Sequence, residues 1–392
     1  MAIYLDNNAT TKPSPEVCEA MLQALRSHFG NPSSSYALGR RAAGAMEQAR
    51  DQVASLVGAT AGSLVFTSGG TESNSTALSA GLALRPERRK ILVSAVEHAS
   101  VLDAAEAWAE RGWVVVPVGV DGAGRLRTEA LEEALDEETA LVCIMAANNE
   151  TGVRLDPGDW AERVHAAGAL LHVDATQMAG KVPMHVREWG VDFAAFSAHK
   201  LHGPKGIGSL YIANNKVITP MIRGGGQEGG WRSGTPNVPG ILGFGVAAAQ
   251  AEAALGAMEQ VAAMRDQLEA GLHEKLAGVT VQGGDAPRLP NTSSLRFEGV
   301  EAETLLALMD LEGLYASTGS ACAAGAAEPS HVLRAMGLDR RAAREVVRFS
   351  LSRYTRREEI ETVIDRVASL VASLRGRSKA GMSPRAITGD QR

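Results

Sequence analysis

The sequence predicts an α/β protein with a doubly wound, mainly parallel, seven-stranded sheet and a second, smaller α+β domain. Short, continuously apolar runs alternate with longer amphipathic ones, which is typical of strands covered by helices on both faces. The length of 392 residues exceeds what one hydrophobic core usually supports. After Gly240 the pattern changes, because a long alanine-rich stretch leads into a shorter α+β section.

The predicted large domain covers residues 15–255 and begins with a helix over Pro15–Leu25. Apolar runs bounded by turn residues predict its strands, and amphipathic stretches between them predict its helices. The strands are predicted at Leu64–Thr67, Ile91–Val96, Trp113–Val118, Ala140–Ala146, Leu170–Asp174, Phe193–Ser197 and Gly208–Ile212. The helices are predicted at Glu72–Leu84, Ser100–Arg111, Thr128–Asp136 and Asp159–Ala167.

The predicted small domain combines residues 1–14 with residues 256–374. A helical stretch from Leu242 to Leu276 leads into it, and Gly256 marks a break in that stretch. Residues 375–392 are basic and have no apolar periodicity, so we expect a flexible tail, with a partner-binding tail as the alternative. Further strands are predicted at Thr292–Phe297 and Val346–Ser350, and further helices at Glu301–Leu311, Pro329–Met336 and Arg357–Leu374.

Charge and composition exclude several classes of protein. The net charge of −6 argues against a protein that binds nucleic-acid backbones. Three cysteines are too few for a disulfide scaffold, and no closely spaced pair of them suggests a built-in metal site. No apolar run reaches the roughly 18 residues that a membrane span needs. The N-terminus lacks the pattern of a secretion signal, so a cytoplasmic location is expected.

Three features at predicted strand ends point to one cofactor. The segment Ser68–Thr71 lies between a strand and a helix, where glycines and free backbone N–H groups suit a phosphate, although an ordinary turn capped by Thr71 is the alternative. Asp174 ends one strand and Lys200 follows the next, at the sheet edge where such folds bind ligands. Either residue alone would be read as a surface ion pair. An amine, a carboxylate and a phosphate site together favour pyridoxal 5′-phosphate.

Two further residue types carry candidate chemistry. His98 ends another predicted strand, where it could stack on a cofactor ring and move protons or could be an ordinary structural histidine. We interpret Cys18 and Cys143 as structural thiols. Cys322 differs, because the small residues and glycines around it cannot build a core and predict an exposed loop.

These residues belong to strings that together resemble the pyridoxal-phosphate-dependent cysteine desulfurases of the NifS and IscS type, within the class V aminotransferases. The resemblance extends from Ile3 to Leu374. Its strings are Leu5–Thr11 (LDNNATT), Phe29–Ser34 (FGNPSS), Asn148–Gly152 (NNETG), His199–Gly206 (HKLHGPKG), Arg232–Thr235 (RSGT), Gly319–Cys322 (GSAC) with Glu328–His331 (EPSH), and Val347–Ser350 (VRFS).

The resemblance implies the fold type I of pyridoxal-phosphate enzymes and a role for each matching residue. Lys200 would bind the cofactor covalently, Asp174 would pair with its pyridine nitrogen, and His98 would stack on its ring and assist proton transfer. Cys322 would accept the sulfur. Asn149 and Gln177 would contact the ring oxygen of the cofactor, and Arg348 and Asn31 would bind the substrate carboxylate. The phosphate would be held by Gly70, Thr71, Ser197, His199 and, from the other subunit of a dimer, Thr235.

The implied activity converts L-cysteine to L-alanine and leaves a persulfide on Cys322. The implied partners are a second copy of the chain and an iron–sulfur scaffold protein of the NifU or IscU kind, without nucleic acid or membrane. No intrinsic metal is expected, although Cys322 could transiently ligate a nascent iron–sulfur cluster. Strings closer to NifS favour supply of nitrogenase clusters. The alternatives are a housekeeping desulfurase of the IscS type, a selenocysteine lyase and a class V aminotransferase, which has no use for an exposed loop thiol.

Overall fold

The structure is a computed structural model that describes residues 2–213, 216–319 and 328–381, with side chains described as far as Gly376. The strands in these residues are β1 (Ile3–Tyr4), β2 (Leu64–Thr67), β3 (Lys90–Ser94), β4 (Val114–Val118), β5 (Thr139–Met145), β6 (Leu170–Asp174), β7 (Phe193–Ser197), β8 (Gly208–Ile212), β9 (Val279–Val281), β10 (Thr292–Phe297), β11 (Leu314–Tyr315) and β12 (Val346–Ser350). The helices are α1 (Pro15–Ser27), α2 (Ala37–Val57), α3 (Gly70–Ala83), α4 (Ala99–Ala109), α5 (Thr128–Ala134), α6 (Gly158–Ala166), α7 (Val238–Ala253), α8 (Met258–Lys275), α9 (Ala302–Leu311), α10 (His331–Ala335), α11 (Arg340–Ala343) and α12 (Arg357–Gly381).

The main sheet has seven strands in the order β2-β8-β7-β6-β5-β3-β4. Its strands run parallel except for β8, which is antiparallel to both of its neighbours, β2 and β7. Strands β5 to β8 are buried along their whole length, because helices cover both faces. The predicted doubly wound, mainly parallel sheet is therefore confirmed, and its parallel strands direct their carboxyl ends to one common edge.

A separate hydrophobic cluster lies around a three-stranded antiparallel sheet with the order β12-β10-β9. It contains Ile3 and Leu5 from the N-terminus together with residues of α8, α9 and α12. Not every later residue belongs to it, since Leu289 and Leu333 pack in the cluster beside the large sheet. The boundary at residue 256 stays a prediction. The N-terminal segment reaches from this cluster toward the edge of the large sheet.

Several elements differ from the prediction. Helix α2 was not predicted, because four of its nine buried positions are glycine or alanine, such as Ala42 and Ala49, which give a weak apolar signal. The stretch Leu242–Leu276 consists of two helices separated near Gly256, as the predicted break requires. Helix α12 continues past Leu374 to Gly381, into the predicted tail, and residues 382–392 lie outside the described part. Among the described residues no single helix is long and apolar enough to span a membrane. Helices α7 and α8 have that length and composition only when counted together, and the chain bends by 55° between them.

Candidate active site

A cavity of about 390 Å³ opens at the sheet edge where β5, β6 and β7 end. Ligands in doubly wound sheets occupy this position. Strand ends and the start of α3 supply much of its wall, and β12 supplies one residue from the smaller sheet. Ten of the predicted site residues line it, namely Gly70, Thr71, His98, Asn149, Asp174, Gln177, Ser197, His199, Lys200 and Arg348.

Asp174, the last residue of β6, presents a buried carboxylate to this cavity. Three donors fix its two oxygens. Nδ2 of Asn74 donates to Oδ2 at 2.8 Å, while the backbone N–H and the hydroxyl of Thr176 donate to Oδ1 at 3.0 and 2.6 Å. The carboxylate is thus held in one orientation before any ligand arrives, as a partner for a ring nitrogen must be.

The amine of Lys200 follows β7 and lies against the N-terminal segment. Its Nζ donates to the carbonyl oxygens of Asn8 and Ala9 at 2.6 and 2.9 Å. A second amine, that of Lys181, is fully buried nearby and donates to Oε1 of Gln177 at 2.7 Å and to Oδ1 of Asn8 at 3.1 Å. Burial, followed by the positive charges of Lys200 and Arg348, lowers the pKa of Lys181 well below its usual value. Lys181 is therefore a second buried hydrogen-bond donor beside the amine of Lys200.

The predicted phosphate site lies at the N-terminus of α3, where Gly70 and Thr71 begin the helix. A Cβ atom at Gly70 would lie 2.9 Å from Cγ2 of Thr176, so any other residue there would require Thr176 to shift. Burial, together with the charges of Lys200 and other lysines, lowers the pKa of His199 to about 4. His199 is therefore neutral near pH 7, and the free N–H groups and dipole of the helix provide the attraction for an anion.

His98 occupies the position just before α4 and caps that helix. Its Nδ1 accepts a hydrogen bond from the backbone N–H of Ser100 at 3.1 Å and lies 2.8 Å from the Ser100 hydroxyl. The preceding residue, Glu97, is fully buried and accepts a hydrogen bond from the backbone N–H of Met145. Burial, and then the charge of Asp174, raises the pKa of Glu97 well above its usual value. Glu97 is thus a buried acid behind the cavity wall whose ionised form is disfavoured.

Arg348 brings the smaller sheet into the site, because β12 points its buried guanidinium into the cavity. Its Nη2 pairs with Asp6 at 2.7 Å, and its Nη1 donates to the carbonyl oxygen of Asn149 at 2.9 Å. The Nε atom is buried and has no hydrogen-bond partner among the described residues. A buried donor of this kind suits a ligand that carries a carboxylate.

The structure does not bring every predicted residue to the cavity. Asn31 is exposed in the loop before α2, where its Oδ1 accepts a hydrogen bond from the backbone N–H of Ser33. Thr235 lines a different cavity of about 180 Å³. Cys322 lies outside the described residues. The prediction for Cys143 is confirmed by its burial, but Cys18 is exposed, since α1 turns only Val17 and Ala24 fully inward.

The residues present fit pyridoxal 5′-phosphate. The cavity combines an amine, a fixed carboxylate and the helix N-terminus that begins at Gly70. The orphan Nε of Arg348 remains for the carboxylate of an amino acid. Sequence reasoning missed Asn74, Glu97 and Lys181. For Lys181 a signal existed, because it lies four residues after Gln177, the spacing of neighbours on one side of a helical turn.

Comparisons with known proteins identify the family. The model described as Aminotransferase class-V matches residues 3–363. The chain belongs to this family. Over 374 residues it is 46% identical to a curated cysteine desulfurase of Enterobacter agglomerans, covering 95% of this chain and 93% of the relative. A curated cysteine desulfurase of Gluconacetobacter diazotrophicus is 46% identical over 378 residues, with 95% and 94% covered.

Solved structures agree with this family. A structure named NifS-like protein superposes with a TM-score of 0.88 at 38% identity, and the alignment covers 95% of this chain and 100% of that one. The predicted resemblance to NifS-like cysteine desulfurases is therefore confirmed, as is the fold of type I pyridoxal-phosphate enzymes. Class V enzymes of this kind depend on pyridoxal 5′-phosphate, in agreement with the residues of the cavity.

Proposed function

We propose that the chain is a cysteine desulfurase that converts L-cysteine to L-alanine and transfers the sulfur to Cys322. The observation that carries this proposal is the convergence of Lys200, Asp174 and Arg348 on one cavity. In the net reaction the Cβ–S bond of L-cysteine breaks, an S–S bond forms to Sγ of Cys322, and Cβ gains the proton that the thiol loses. The products are L-alanine and a persulfide, so atoms and electrons balance without another reactant.

Pyridoxal 5′-phosphate would supply an electron sink that weakens the bonds around the α-carbon of the amino acid. Lys200 would hold it covalently and Asp174 would hold its ring nitrogen, while Asn149 and Gln177 would contact its ring oxygen. The remaining cofactor contacts would be those to the phosphate from Gly70, Thr71, Ser197 and His199 of the same chain.

Arg348 would orient the substrate by pairing with its carboxylate. The guanidinium already contacts Asp6 and the carbonyl of Asn149, which hold its plane in one position. Its free Nε–H is the donor that a substrate carboxylate would satisfy. A contribution of Asn31 to this clamp remains a prediction, since its side chain does not line the cavity of the single chain.

We propose further that the active form is a homodimer. Large apolar side chains are exposed around the connection between α1 and α2, including Leu25 (63%), Phe29 (70%) and Tyr36 (55%). Such a concentration of exposed apolar surface is typical of protein interfaces. Thr235 does not line the candidate cofactor cavity of its own chain, so its predicted contact with the cofactor phosphate requires a second subunit.

The sulfur would pass from Cys322 to an iron–sulfur scaffold protein, with nitrogenase clusters as the destination. The support is the sequence itself, where Asp6–Asn8, Lys200–His202 and Leu351–Tyr354 are closer to NifS than to IscS. The test is complementation of a nitrogen-fixing strain that lacks its dedicated desulfurase. Restored nitrogenase activity supports this destination, and rescue of general iron–sulfur enzymes alone would assign the chain to housekeeping supply.

The experiment on the activity compares the parent with Cys322→Ala and with Cys18→Ala, a matched control that removes another exposed thiol. Each purified protein receives L-cysteine, and alanine, sulfide and protein-bound persulfide are measured. All three proteins should be yellow with bound cofactor. Persulfide should form in the parent and in Cys18→Ala but not in Cys322→Ala. Normal desulfurisation by Cys322→Ala would refute the role of that thiol, and a parent that binds no cofactor would refute the function.

A further inference from the structure

A chain of hydrogen bonds connects the carboxylate of Asp174 with the ring of His98. Nδ2 of Asn74, on α3, lies 2.8 Å from Oδ2 of Asp174 and 2.9 Å from the hydroxyl oxygen of Ser100. That hydroxyl lies 2.8 Å from Nδ1 of His98. The two side chains expected to face opposite parts of a bound cofactor are thus linked through one buried amide.

The direction of this chain follows from the chemistry of its ends. An ionised carboxylate only accepts hydrogen bonds, so the NH₂ group of Asn74 must face Asp174, and its second hydrogen reaches Ser100. The amide oxygen is left facing Nε2 of His172 at 2.9 Å. Burial lowers the pKa of His172 to about 4, so the ring is neutral and can donate its one proton from Nε2 to this oxygen. The orientation that Asp174 requires of Asn74 is therefore compatible with His172.

Ser100 transmits this orientation to His98. Because its oxygen accepts from Asn74, its hydroxyl hydrogen is available for Nδ1 of His98, at 2.8 Å. The backbone N–H of Ser100 donates to the same nitrogen at 3.1 Å, and this bond caps α4. A ring nitrogen that faces two donors cannot carry a hydrogen of its own. When the ring is neutral, its proton must therefore be on Nε2.

We propose that Asn74 is a positioning residue that, through Ser100, fixes His98 in its Nε2–H tautomer while it fixes the carboxylate of Asp174. In this form His98 acts on a bound ligand as a hydrogen-bond donor from Nε2 and not as a base at that nitrogen. The family resemblance implies that His98 assists proton transfer, and this tautomer limits its role at Nε2 to that of a donor. The interpretation for the reaction rests on the proposed function, but the tautomer is a property of the chain itself.

The first test reads the tautomer directly. The full chain is labelled with ¹⁵N-histidine, and long-range ¹H–¹⁵N correlation spectra are recorded with and without pyridoxal 5′-phosphate. The variant His98→Gln identifies the resonances. We expect a protonated Nε2 and an unprotonated Nδ1 for His98 in both states. A proton on Nδ1, or a mixture of both tautomers, would overturn the assignment whatever the activity of the enzyme.

The second test separates the branches of the chain with three variants. Thr176→Ala removes a donor to Asp174 only, so it should weaken cofactor binding roughly tenfold and leave the His98 resonances unchanged. Ser100→Ala removes the hydroxyl donor to His98, so its Nδ1 resonance should move toward the value of a free nitrogen while cofactor affinity stays at the parental value. Asn74→Ala should weaken cofactor binding and also move the Nδ1 resonance of His98. The Nδ1 resonance should move less than it does in Ser100→Ala.

The outcomes decide the proposal in each case. If Asn74→Ala leaves the His98 resonances at their parental positions, Asn74 does not act on His98 and the link is wrong. If Asn74→Ala fails to fold, Ser100→Ala and Thr176→Ala still test the chain. A Ser100→Ala protein that loses cofactor affinity as Thr176→Ala does would show that the branches are not separate. A protein inactive on cysteine but with the expected resonances would contradict the proposed function and leave this inference standing.

Discussion

Gly319 is the described residue that leads directly into the segment containing Cys322, and replacing it with alanine tests how that segment is held. A Cβ atom there would lie 2.6 Å from both Cγ and Cδ of Glu150, and Oε2 would be nearer still. Real Cβ atoms are essentially never found this close to another heavy atom. The variant Gly319→Ala must therefore move either the backbone or Glu150.

Glu150 cannot move freely, because it is fully buried and tied at two points. Its Oε2 accepts a hydrogen bond from the hydroxyl of Ser330 at 2.5 Å, and its backbone N–H donates to Oδ1 of Asn148 at 2.9 Å. Ser330 lies on the other side of the segment that contains Cys322. The carboxyl group thus contacts both ends of that segment. Burial raises the pKa of Glu150, and moving its carboxyl group to another buried position without hydrogen-bond partners would cost free energy.

The expected loss is the sum of two effects. Overpacking a filled site costs about 1–3 kcal/mol, and loss of the Ser330 hydrogen bond would cost a further 1–3 kcal/mol or so. We therefore expect the free energy of unfolding of Gly319→Ala to fall by about 2–6 kcal/mol. Persulfide formation should fall as well, with cofactor affinity unchanged.

The assay is urea unfolding of the cofactor-loaded protein, combined with a double-mutant cycle. Gly256→Ala is the control, because nothing lies within 4 Å of a Cβ atom added there. Glu150→Ala removes the atoms that clash, so Gly319→Ala should cost much less in that background, with a coupling energy above about 1 kcal/mol. Strict additivity of the two substitutions, or a Gly319→Ala protein as stable as Gly256→Ala, would refute the reasoning.

Two further predictions concern stability. The carboxylate of Glu228 accepts hydrogen bonds from both Nη atoms of the buried Arg50 at 2.8 and 2.9 Å, so Glu228→Gln should lower the free energy of urea unfolding by about 3–5 kcal/mol. The control Glu47→Gln removes the charge of the exposed partner of the same arginine and should cost less than about 1 kcal/mol. Equal losses in the two variants would contradict this prediction. Burial lowers the pKa of His202 to about 4, so its share of stability is present above the unfolded pKa of about 6.5 and is lost as the pH falls through the folded value. His202→Asn, which tolerates the positive φ of 67°, should lose less stability than the parent between pH 7 and pH 5, and equal pH slopes would count against it.

The strands could be predicted from the sequence more accurately than the helices. Strands β6, β7 and β8 have the predicted bounds, because continuous apolar runs end at turn residues and leave little freedom in register. Helix α2 was missed because a helix that buries alanines against α7 has the composition of a weakly apolar surface helix. Periodicity detects how much apolar surface a segment has, whereas packing against small residues depends on how close a neighbouring helix comes.

The same distinction applies to the site. Residues at strand ends, such as Asp174 and Lys200, could be predicted because sheet topology alone brings them to one edge. Asn74 and Glu150 could not, because each matters through hydrogen bonds to groups about 100 or more residues away in the chain. The motif containing Asn8 was recognised, but its contacts with Lys181 and Thr292 arise only when the N-terminal segment lies between the two hydrophobic clusters.

Two charged groups of the cavity, Lys200 and Asp174, each have a buried neighbour of the same kind whose charged form is disfavoured. Lys181 lies close enough to Lys200 for its pKa to be lowered, and Glu97 lies close enough to Asp174 for its pKa to be raised. If both were charged, the first would repel Lys200 and Arg348 and the second would repel Asp174, at low dielectric where such repulsion is strong. Desolvation disfavours the charged form of each, and hydrogen bonds hold them in place, Lys181 to Gln177 and Glu97 to the backbone of β5. The field at the cavity is then set by Asp174, Lys200 and the Arg348–Asp6 pair, the groups to which the proposed chemistry assigns cofactor and substrate.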